Sequence, residues 1–69
     1  METAFAYLVK TLLEKVPLPK VPDALADLLP MLNQLALSEA VLTDDLRAKI
    51  QLAMLRTLRK LGLEGVDIG

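Results

Sequence analysis

Cysteine, histidine and tryptophan are all missing from this chain, and their absence removes whole classes of chemistry. No disulfide can staple the fold, no thiolate can act as a nucleophile, and the commonest general base and zinc ligand is gone. Aromatic residues are nearly absent too, with only Phe5 and Tyr7 present. Glycine is confined to Gly62, Gly65 and Gly69, all after the last predicted helix. No glycine-rich loop therefore precedes a helix to cradle a phosphate.

Long apolar runs are also lacking. A spanning helix needs about 20 predominantly apolar residues, and the best candidate, Leu28 to Leu42, is interrupted by Pro30, Asn33, Gln34 and Glu39. Glu2 and Lys10 break the pattern of a secretory leader at the start, so the cytoplasm is the simplest expectation. A formal charge of −1 supplies no global attraction to nucleic acid or anionic membrane.

What remains is leucine and helix. The chain has 69 residues, of which 54% are hydrophobic, an apolar excess over the ~45–50% of an average domain. So short a chain buries only ~60% of the surface its unfolded form exposes, and neither disulfide nor His/Cys metal site is available as a rescue. The excess therefore favours either a dense leucine core or association with another chain. Aliphatic side chains with few rings suit helices packed on helices, so the expected fold is all-α: a compact bundle of three helices, or four, with a proline-rich joint between the first two. Residues 1–62 form the predicted bundle and 63–69 a short tail, loose or ordered only by contact.

The first helix is predicted over residues 2–15. Ala4, Phe5, Leu8, Val9, Leu12 and Leu13 share one side, opposite Thr3, Tyr7, Lys10, Thr11 and Glu14. Pro17, Pro19 and Pro22 then end it and predict an extended, stiff connector. Pro19 and Pro22 also match a PxxP peptide ligand, although such ligands belong to free tails and this segment joins two helices. Pro22 suits the first turn of a second helix reaching about Leu37, whose Leu25, Leu28, Leu29, Leu32, Leu35 and Ala36 keep a helical spacing across Pro30. One helix kinked at Pro30 is expected, and a break there into two short helices is the alternative. Ser38 and Thr43 are candidate N-caps, with Thr43-Asp44-Asp45 the stronger start signal. The last helix is predicted from Asp44 to about Leu61, stopped by Gly62, with Leu63 folding back.

Catalysis is not expected. Neither Ser38 nor any threonine has an activating motif, and Ser38 and Thr43 read as caps. Asp44 and Asp45 are adjacent, so on a helix they diverge by ~100° and cannot share a proton or a metal. No catalytic, cofactor-binding or metal-binding residue is assigned. The most informative segment is the last helix. Leu46, Ile50, Ala53, Met54, Thr57, Leu58 and Leu61 form a core stripe, while Ala48, Leu52 and Leu55 form a second apolar ridge among Lys49, Arg56, Arg59 and Lys60.

Three accounts of that ridge compete. In the first, Leu52 and Leu55 reach the core flanks under basic side-chain stems. In the second, the ridge is a seam for a protein partner, self or another helical protein, with an apolar centre and charged rim. In the third, the basic residues hold nucleic acid or an anionic membrane surface, since five positive charges and no acid lie between Arg47 and Lys60. The second account predicts a small non-catalytic interaction module, a homo-oligomer or an adaptor within a complex. Paired leucine-rich helices, a proline joint and a charged third helix are similar in size and texture to the helical docking domains at the ends of modular polyketide synthase subunits. That likeness implies a class of docking module and carries over no motif residue.

Overall fold

Threonine hydroxyls set two of the three helix starts. Thr3 Oγ1 accepts from the Ala6 amide at 3.1 Å, and Thr43 Oγ1 accepts from the Leu46 amide at 3.2 Å, each satisfying a donor that the first turn leaves unpaired. The computed structural model describes residues 2–68. Met1 and Gly69, the outer limits of the predicted bundle and tail, lie outside the described residues. Three α-helices follow in order, α1 (Ala4–Lys15), α2 (Val21–Ser38) and α3 (Asp44–Lys60), with a 3-10 turn at Leu18–Lys20 between the first two. No extended strand is present among the described residues, only an isolated bridge between Thr3 and Val41.

Several boundaries differ from expectation for local reasons. Helix α1 starts at Ala4, because Thr3 is extended and spends its side chain as the cap. After Val16 and Pro17 the linking chain curls, with the Lys20 amide donating to the Pro17 carbonyl at 2.8 Å. The fixed proline φ is compatible with that turn as well as with an extended path. Helix α2 runs unbroken through Pro30 and takes in Ser38. Ser38 is thus not an N-cap; its hydroxyl donates back to the Leu35 carbonyl at 3.3 Å. Glu39 ends the helix in the left-handed region, φ 51°, and the next residues pair with the chain start instead of making another turn.

That pairing fixes the directions of the helices. The Ala4 amide donates to Ala40 and the Leu42 amide to Glu2, so the start of α1 lies beside the end of α2. Lys20 Nζ reaches the Leu61 carbonyl at 2.7 Å, so the start of α2 lies beside the end of α3. Both neighbouring pairs are antiparallel. The α3 terminus is a Schellman motif: Gly62 at φ 74° donates to Arg59, and Leu63 donates to Leu58.

Inside, Ala4, Leu8 and Leu12 of α1 meet Ala24, Leu28, Leu32 and Leu35 of α2 and Ile50, Met54 and Leu58 of α3. Leu63 and Val66 pack partly against this core and Ile68 is buried in it. The radius of gyration, 11.3 Å, matches the ~11 Å of a compact domain of this length. On α1 the buried arc is rotated from the expected one. Thr11 is buried and Tyr7 half-buried, whereas Phe5 and Leu13 are exposed. The cause is the placement of α3, which lies on the Tyr7 side: Gln51 Nε2 donates to the Tyr7 hydroxyl at 3.1 Å, and the Arg47 guanidinium sits 5.8 Å from the ring centre. On α2, likewise, Leu25, Leu29 and Ala36 lie outside the buried set and Ala24 lies within it.

Candidate partner-binding surface

Helix α3 buries one stripe and turns another outward. Ile50, Met54, Thr57 and Leu58 are buried, with Leu46, Ala53 and Leu61 beside them half-buried, so the expected core stripe is the one used. Thr57 brings a hydroxyl into this stripe, and it is satisfied by donating to Asp27 Oδ2 at 2.6 Å. Asp27 also pairs through Oδ1 with Lys60 Nζ at 3.1 Å. The Thr57 hydrogen bond first, and then Lys60, hold the Asp27 carboxyl below the ordinary carboxylate range. This cluster ties α3 to α2 along one flank.

Ala48, Leu52 and Leu55 all lie on the solvent side of α3. Leu52 is 56% exposed and Leu55 46%. Leu52, Leu55, Arg56, Arg59 and Lys60 line one shallow depression of about 410 Å³. Leu55 and Arg59 also border a smaller hollow, about 180 Å³, which continues over Leu63 and Val66 of the C-terminal segment. Together the two make a trough running along α3 to the folded-back chain end. Lys49 is not part of it. It turns to the α2 side and lines a separate hollow with Met31, Gln34 and Ile50. Lys60 borders the trough with its charge already engaged by Asp27.

The basic character of the helix is thus divided. Arg47 attends Tyr7, Lys60 attends Asp27, and Arg56 and Arg59 flank the exposed leucines. Chemically the trough offers an apolar floor with two guanidinium groups at its rim, suited to aliphatic side chains accompanied by carboxylates. Among the described residues no three acidic, histidine or cysteine side chains stand together to hold a metal ion, and no helix is long and apolar enough to cross a membrane. Comparison with family models, with curated proteins and with solved structures finds no match for this chain.

A second set of exposed apolar side chains does not stand out in the sequence. Phe5 and Leu13 of α1 and Leu25 and Leu29 of α2 are 37–56% exposed. A signal for it was present in the apolar positions of α1, which spread too far round the helix for one core contact to cover, and in the lack of any charge between Asp27 and Glu39.

Proposed function

We propose that this chain is a non-catalytic helical interaction module that docks a protein partner through the outer ridge of α3. The observation that supports this reading best is the exposure of Leu52 and Leu55 in one trough with Arg56 and Arg59 at its rim. Large apolar side chains gathered in this way, with a polar border, characterise interaction surfaces more than an idle exterior. The partner chemistry that fits is an amphipathic helix bearing aliphatic residues at i, i+3 and i+4 with acidic neighbours.

Electrostatic binding of nucleic acid or anionic lipid by Lys49, Arg56, Arg59 and Lys60 has thinner support. Asp27 occupies Lys60, Lys49 points toward α2, and the net charge is −1. The two readings separate in salt, because neutralising phosphates makes affinity fall steeply with ionic strength and an apolar seam does not.

The direct test is Leu52→Glu. Leu52 is already half in water, so the variant keeps its helical circular dichroism. Capture of an acidic amphipathic helix on the immobilised chain weakens on the order of 100-fold, since a charge is placed in the centre of a dehydrated contact. Binding unchanged by Leu52→Glu removes α3 as the docking face. Steep loss of binding between 50 and 200 mM salt (about the range over which counterion release acts) supports the electrostatic reading instead.

A further inference from the structure

After α3 the chain turns back on itself. Gly62 at φ 74° and Gly65 at φ 89° adopt a left-handed backbone that other residues rarely take. Apart from adjoining residues, no atom lies within 4 Å of the place where a Cβ would stand on either, so both turns rest on backbone freedom more than on packing. The anchors of the segment are apolar. Leu63 and Val66 pack partly against the core, and Ile68 is buried in it at 8% exposure. Ile68 lines a hollow with Tyr7, Lys10, Thr11 and Lys15 of α1, whereas Leu63, Glu64 and Val66 line another with Leu55 and Arg59 of α3. The segment thus reaches from the α3 ridge to the flank of α1, and Ile68 fastens its far end.

We propose that residues 63–68 are the second wall of the α3 docking site, and that Ile68 is the positioning residue that holds this wall in place. The inference rests on the docking reading of α3. It adds that partner affinity depends on a side chain buried on the α1 side of the segment, away from the ridge itself.

Exposure decides between a wall and a plug. A segment that competed with the partner would cover the ridge, whereas Leu52 and Leu55 stand 56% and 46% exposed while the segment is docked. Leu55 and Arg59 border both hollows, so the surface that begins on the ridge continues onto Leu63 and Val66. A helix laid in this trough is gripped from two sides, which removes more of an apolar side chain from water than one ridge alone. Charge is divided between the walls. Arg56 and Arg59 stand on α3, and Glu64 on the segment. The partner that fits turns its acidic flank to α3 and a basic or uncharged flank to Glu64. Reciprocity then requires that a bound partner hold the segment down by the same factor by which the docked segment strengthens binding.

The test uses the intact chain and a designed helical peptide with leucines at i, i+3, i+4 and i+7, glutamates on one flank and lysine on the other. Ile68→Ser releases the segment. Its helical circular dichroism is kept, because Ile68 lies outside the three helices, while peptide capture weakens on the order of 10-fold, and Ile68→Val restores it. Val66 is half-buried, so Val66→Ser removes the wall contact without touching the core anchor and weakens capture to a similar degree, which serves even where Ile68→Ser loosens the fold. Saturating peptide slows amide hydrogen exchange at Val66 and Ile68 of the wild type by about the same 10-fold. Glu64→Lys shifts preference toward a peptide acidic on both flanks. Capture unchanged or tightened in Ile68→Ser or in Val66→Ser, exchange at residues 66–68 unmoved by the peptide, or a preference indifferent to Glu64→Lys overturns the proposal and leaves the α3 reading standing. A wild type that captures no peptide, or capture indifferent to Leu52→Glu, overturns the α3 reading and this proposal with it.

Discussion

Asp27 shows how much a single polar side chain adds to a fold with an aliphatic core. Local sequence marks it only as a carboxylate in the first half of a helix, and Thr57 as one position in an apolar stripe. Neither reading foresaw that the two would meet across α2 and α3 at 2.6 Å, because contacts thirty residues apart leave no local periodicity. Their meeting has a pH consequence. The Thr57 hydroxyl and the Lys60 ammonium favour the ionised carboxylate, so the folded protein holds this group's pKa below its unfolded value. A depressed carboxylate contributes stability that is fully present above the unfolded pKa and lost as pH falls through the folded one. Urea midpoints are therefore expected to be level near neutrality and to decline below about pH 4. Asp27→Asn should flatten the part of the decline that belongs to this group. An unchanged acid profile in Asp27→Asn would mean that the cluster does not couple protonation to folding.

At the scale of the element, legibility followed the strength of the terminal signals. Helix α3 was read almost to the residue, since Thr43, the two aspartates and Gly62 each carry a local conformational cause. The joint and the α2 terminus were read less well. Proline restricts φ without choosing between an extended path and a 3-10 turn, and Ser38 can serve a helix from either end. The α2 terminus also carries a local conflict, for Glu39 adopts φ 51° where glycine or asparagine is usual. The left-handed conformation costs a side-chain-bearing residue ~1–2 kcal/mol, and glycine gives back ~0.5–1 kcal/mol through its freer unfolded chain. Glu39→Gly is thus expected to stabilise the protein by about 0.5–1 kcal/mol, raising the melting temperature by a few degrees for a domain of this size. A melting temperature that falls instead would show that the Glu39 side chain makes a compensating contact.

Across the whole molecule, the apolar excess of the composition is shared between an aliphatic core and two outward faces. The sequence patterns located the α3 ridge because basic residues frame it. They concealed the exposed side chains of α1 and α2 because leucines bound for solvent and leucines bound for the core share one helical spacing. Only the positions of α3 and of the folded-back segment decide which of them stay exposed.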